Sequence, residues 1–140
     1  MYILDTDHLG ILQRKRGREF ERLMSKLATV EEMQVYVTIV SFHEQVAGWT
    51  KYVKGSLDQS RIVFGYSRLR LIIQNFGEAQ VLSYSASAAE VFEGIRGRKV
   101  RIATMDLRIA AIAIAEHMIL VTQNTGDFDS IPELQLATWT

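Results

Sequence analysis

Short β-branched or aromatic runs alternate along this chain with longer segments whose apolar residues recur at helical spacing. That alternation restricts the fold more than any other feature. Tyr2-Ile3-Leu4 reads as a short buried strand. Asp7 can cap a following helix, and Leu9, Leu12, Phe20, Leu23, Met24 and Leu27 form its apolar stripe. The basic stretch from Arg14 to Arg18, with Gly17 inside it, divides that stripe into two helices. Val35 to Val40 has strand composition, and Ser41-Phe42-His43-Glu44 then opens a helix. Between Asp58 and Phe76, residues Ile62, Tyr66, Leu69, Ile73 and Phe76 alternate in steps of four and three, predicting an amphipathic helix ended by Gly77. Val81-Leu82 predicts a short strand. Ser85 caps a helix with Ala88, Phe92 and Ile95 on one face. Thr104 caps a helix from about Asp106 to Glu116 that is apolar on nearly every side and must be buried. Ile119 to Thr122 is a strand, and Leu134 to Trp139 alternates like a final edge strand. This order predicts a single domain over residues 1–140: an α/β protein, a three-layer α/β/α sandwich with a mainly parallel central sheet.

Parallel sheets bind ligands beyond the carboxyl ends of their strands. Asp5, Glu44 and Asp127 each follow an apolar strand run, and Asp106 lies in the first turn of a helix, where the dipole favours a carboxylate. In the expected fold all four converge on one edge of the sheet. A cluster of carboxylates suits a hard divalent cation, so the pattern points to a metal-dependent hydrolase acting on phosphate. Each acid also has a structural explanation. Asp5 can make an Asx turn. Ser41-x-x-Glu44 has the spacing of a capping box. Asp106 can be an ordinary first-turn acid, and Asp127 a turn residue in Asn124-Thr125-Gly126-Asp127. The chain has 16 acids, so their shared placement, rather than any one of them, supports the site.

Other residues offer less. His8, His43 and His117 lack metal-ligand spacing, and surface or cap positions are expected for them. Ser41 and Ser83 have no nucleophile-elbow glycines, and the glycines form no phosphate loop. Glu90 and Glu93 decorate a solvated helix face. Arg14-Lys15-Arg16 with Arg18, and Arg98-Lys99 with Arg101, are short basic clusters able to flank an acidic site and hold a nucleic-acid backbone. Formal net charge is zero, so any nucleic-acid role needs such a local patch. There is no cysteine for disulfides or cysteine–zinc sites, and no signal-peptide pattern. Ile109 to Ala115, the longest apolar stretch, is too short to cross a bilayer, and a cytoplasmic location is expected.

The segments Tyr2-Ile3-Leu4-Asp5-Thr6-Asp7, Val40 to Gly48, Asp106 to Ala113 and Leu120 to Phe128, with the tail from Ile131 to Trp139, resemble the PIN domain. They most resemble the VapC toxins of bacterial toxin–antitoxin pairs. The resemblance implies that the acids at positions 5, 44, 106 and 127 bind magnesium or manganese and drive RNA hydrolysis. It also implies a small VapB antitoxin partner and a homodimer. Asp7 departs from the pattern, because many members carry asparagine there. On this reading Asp5 and Asp106 hold one cation, with Asp127 and Glu44 completing the site. Thr6, Asp7, Thr122 and Asn124 lie behind them, and Thr6, Thr122 and Asn124 are donors that orient the acids. Two rivals stand beside it. Asp5-Thr6-Asp7 and Gly126-Asp127-Phe128-Asp129 also resemble motifs of haloacid-dehalogenase-like phosphatases, with Asp5 as nucleophile. A non-catalytic module could instead sequester an arginine-bearing partner in the acidic cleft.

Overall fold

The computed structural model describes residues 1–140. Five strands form one sheet: β1 (Tyr2–Leu4), β2 (Val35–Thr38), β3 (Val81–Leu82), β4 (Ile119–Val121) and β5 (Leu136–Ala137). Their order is β3-β2-β1-β4-β5, and every pairing is parallel. Seven helices cover the sheet: α1 (Thr6–Arg14), α2 (Arg18–Leu27), α3 (Ile39–Lys54), α4 (Gln59–Glu78), α5 (Ala86–Arg96), α6 (Thr104–Ala115) and α7 (Thr125–Phe128). This is the expected three-layer α/β/α sandwich of PIN type, and its sheet is wholly parallel.

Strand alternation builds the layers. Ile3 of β1 and Leu120 of β4 turn to one side, where they join Phe92 and Ile95 of α5 and the fully buried run Ile109–Ala113 of α6. Their neighbours Leu4 and Val121, with Val37 of β2, turn to the other side and pack on Ile11 of α1, Leu23 of α2 and Trp139. The apolar helix foreseen around Asp106 therefore lies at the centre of the larger core cluster.

Several boundaries differ from the sequence reading, each for a local reason. β2 stops at Thr38 rather than running through Val40, because the Thr38 hydroxyl accepts the Ser41 amide at 3.1 Å and starts α3 two residues earlier. Ile39 and Val40 are thus helical despite their β propensity. Asp5, not Asp7, caps α1. Thr104 is the first residue of α6 and makes no cap bond; Ala103 holds the cap position. Gly77 lies inside α4, which ends at Glu78. The inward face of α4 is carried by Ile62, Leu69, Ile72 and Phe76, while Tyr66 is 61% and Ile73 67% exposed. Lys15 (φ 52°) and Gly17 (φ 94°) make the left-handed break between α1 and α2. The last strand is only Leu136–Ala137, and the four-residue α7 was not foreseen.

Candidate active site

Asp5 leaves β1 with its amide still donating to the Val121 carbonyl, so the backbone is fixed on both sides of the side chain. One carboxylate oxygen, Oδ1, accepts the Thr6 amide at 2.8 Å, and Oδ2 accepts the Thr122 hydroxyl at 2.7 Å. The residue is only 4% exposed. Burial, reinforced by the charges of Asp7 and Asp106, pushes its carboxyl from 3.8 up to about 6 against the two hydrogen bonds that hold it down.

Glu44 projects from the second turn of α3. Its Oε1 accepts the Thr6 hydroxyl at 2.9 Å, and Thr6 Oγ1 also pairs with Ser41 Oγ at 2.9 Å. The capping-box alternative is therefore absent: Thr38 caps α3, and Glu44 reaches across to α1. Burial and the Asp106 charge raise the Glu44 carboxyl. Asp106 is in the first turn of α6, half-buried, and raised by burial and by the charges of Asp127 and Asp7. Asp127 lies in α7, more exposed, with its Oδ2 accepting Asn124 Nδ2 at 2.9 Å.

The four acids thus share one rim, linked through Asp106, which acts electrostatically on both Asp5 and Glu44 and feels Asp127. No lysine or arginine pairs with any of them; the ion pairs of the chain are His8–Asp7, Arg96–Glu93 and Arg98–Glu133. This all-oxygen donor set, without a lysine or arginine partner and with only His43 acting favourably on Glu44, fits a hard divalent cation. The cluster is open: no three of its side chains stand close enough together to hold an ion as placed.

No family model matches the chain. A curated relative, Ribonuclease VapC2 of Rickettsia felis, is 28% identical over 139 residues, covering 99% of this chain and 98% of the relative. The crystal structure of VapBC2 from Rickettsia felis bound to a promoter DNA fragment superposes with a TM-score of 0.73 at 24% identity, covering 99% of this chain and 98% of that one. DNA-bound VapBC from Salmonella typhimurium gives a TM-score of 0.77 at 19% identity, over 99% and 98% of the two chains. The chain has the PIN-domain fold and resembles the VapC ribonucleases.

Within this PIN fold Thr6, Thr122 and Asn124 bond to the acids as the sequence suggested, but the buried His8 and Ser41 beside them were not foreseen. His8, expected at the surface or in a cap, is completely buried, with Nδ1 2.7 Å from Asp7 Oδ1. Asp7 Oδ2 accepts the Gln123 amide at 2.9 Å and the Thr122 hydroxyl at 3.2 Å. Burial alone would raise the Asp7 carboxyl, but the bonds from His8 and Gln123 outweigh it and hold the group below its ordinary value. Ser41, dismissed as a nucleophile, is also fully buried, between Thr38 and Thr6. The Asp7-His8 dipeptide and the Thr38-x-x-Ser41 spacing were the available signals. Arg98 of the second basic cluster is engaged with Glu133.

Proposed function

We propose that this chain is a magnesium- or manganese-dependent endoribonuclease and the toxin of a VapBC-type pair. One observation carries the reading: four carboxylates without a lysine or arginine partner gather at the carboxyl ends of a parallel sheet, in a chain alignable over nearly its whole length with a VapC ribonuclease.

Asp5 and Asp106 would hold the cation, with Asp127 and Glu44 completing the set directly or through water. When bound, such a cation polarises a phosphate oxygen and makes water a stronger nucleophile near neutral pH. The protein's own part is orientation. Thr122 aims Asp5, Thr6 aims Glu44, and Asn124 aims Asp127, each through a bond of 2.7 to 2.9 Å. The Asp5 carboxyl, raised to about 6 by burial, must be ionised to serve as a ligand, so below that pH cation binding should release a proton. The phosphatase alternative uses Asp5, Asp7 and the late acids Asp127 and Asp129 but not Glu44 or Asp106, and both oxygens of Asp7 already have partners in His8 and Gln123. That arrangement favours the nuclease, in which Glu44 and Asp106 also have roles.

The antitoxin partner is supported by the VapBC complexes among the structural neighbours. An apolar groove of about 640 Å³, lined by Leu9, Leu12, Leu27, Tyr36 and Phe76 among others, lies between α1, α2 and α4 and suits an apolar partner segment. Exposed Val63, Tyr66 and Ile73 on the outer face of α4 suit self-association. No helix is long and apolar enough to cross a membrane. The test is incubation of the purified, partner-free chain with total RNA, with and without Mg²⁺ or Mn²⁺. Metal-dependent internal cuts support the reading. Turnover of a small phosphomonoester with trapping of a phosphoenzyme would replace it with the phosphatase, and inertness toward both substrates would leave a binding module.

A further inference from the structure

His8 has no place in the scheme above, yet it is fully buried and its imidazole has a single polar partner, the Asp7 carboxylate. Its Nε2 is buried with no partner at all. A residue chosen only to fill the core would not carry that uncompensated polar atom, so the histidine is explained by Asp7. Both oxygens of Asp7 in turn have partners. Oδ1 takes His8, and Oδ2 takes the Gln123 amide and the Thr122 hydroxyl. The single Thr122 hydroxyl proton is shared, mainly with Asp5 at 2.7 Å and weakly with Asp7 at 3.2 Å, and the oxygen accepts the Asn124 amide at 3.0 Å, while the Asn124 side chain holds Asp127. One continuous network therefore runs from His8 through Asp7 to two of the four rim acids.

We propose that His8 is a positioning residue: it pins Asp7 as a clamp between α1 and the Thr122–Asp127 segment, so that Asp7 orders Asp5 and Asp127 and is withheld from the cation. This deepens the nuclease reading and rests on it. It also gives a reason for an acid at position 7. A fifth free carboxylate beside Asp5 and Asp106 would compete for the ion in the wrong geometry, whereas one locked by a buried imidazole cannot swing toward it.

The test compares His8→Leu, which fills the space but removes the donor, with His8→Asn, whose amide nitrogen can replace Nδ1. Mn²⁺ binding to partner-free protein is measured by calorimetry, and RNA cleavage by kcat and KM. His8→Leu is expected to fold, to bind Mn²⁺ about tenfold or more weakly, and to lose kcat with KM for RNA little changed. His8→Asn is expected to recover most of both, although it leaves more empty space. Should His8→Leu not fold, His8→Met, an adaptable apolar filler, carries the same expectation. Wild-type Mn²⁺ affinity in the Leu or Met variant, or a His8→Asn protein worse than both, overturns the clamp and leaves a packing role. A wild-type protein that neither binds Mn²⁺ nor cuts RNA overturns the nuclease reading itself, which is a different result.

Discussion

Replacing Asp5 by asparagine should stabilise the metal-free fold while abolishing RNA cleavage. The Asp5 carboxyl is moved from 3.8 to about 6 by burial and by neighbouring acids. At about 1.4 kcal/mol per pKa step, holding it ionised at neutral pH costs the apo fold about 3 kcal/mol. The sign follows from proton binding. Below about pH 4 the folded and unfolded chains both keep this proton, and there is no penalty. Between about 4 and 6 the unfolded chain sheds it while the folded chain retains it, so stability falls as pH rises; above about 6 the loss is complete. Asparagine removes the charge and can keep the geometry. Its oxygen still accepts the Thr6 amide, and the Thr122 hydroxyl can turn to donate to Asp7 while accepting the new amide. Because that rearrangement is imperfect, the expected gain is about 1–3 kcal/mol at pH 7.5, shrinking toward zero near pH 4. Urea unfolding of EDTA-treated wild type and Asp5→Asn at both pH values measures it. A loss of stability at pH 7.5 would refute the reasoning and make Asp5 a structural turn residue.

Three further outcomes are expected. Glu44→Gln keeps an acceptor for the Thr6 hydroxyl and removes a charge that burial and Asp106 disfavour, so its metal-free thermal unfolding should match or exceed wild type, while RNA cleavage falls on the order of tenfold or more; a loss of thermal stability would point to a structural role. Thr122→Val removes a fully buried hydroxyl that serves Asp5, Asp7 and the Asn124 amide, and should cost about 1–3 kcal/mol by urea unfolding. Gly65→Ala places a Cβ 2.5 Å from Val53 Cγ2 and 3.0 Å from the Tyr52 ring, so it should destabilise the α3–α4 pair by about 1–3 kcal/mol and leave Mn²⁺ affinity untouched in calorimetry.

The layers were legible in the sequence because strand and helix periods are local properties. Tyr2–Leu4, Ile119–Val121 and the buried Ile109–Ala113 run emerged nearly as read. What the sequence hid was decided by contacts between distant positions. Ile39 and Val40 look like strand residues until the Thr38 hydroxyl caps the helix that contains them. The capping-box spacing at Ser41 and Glu44 was real in sequence, but Thr6, 38 residues away, takes Glu44 instead. Ile62, Leu69 and Phe76 faced inward as read, while Tyr66 and Ile73 are exposed, because the buried face is centred toward Gly65 and Ile72 and leaves these two at the edge of the stripe. His8 was not read as buried because a histidine is polar, although its i, i+3 spacing from Ile11 puts it on the inward face of α1.

The central claim is that the acidic rim is a cation-dependent RNA hydrolase. Its most direct measurement is cleavage of a defined single-stranded RNA by the purified partner-free chain across a Mg²⁺ or Mn²⁺ titration, with Asp106→Asn in parallel. The expected result is internal cutting that rises with cation, stops on chelation, leaves no cyclic phosphate ends because water is the nucleophile, and is lost in Asp106→Asn. Cleavage that persists under chelation, or an Asp106→Asn protein as active as wild type, would contradict the account.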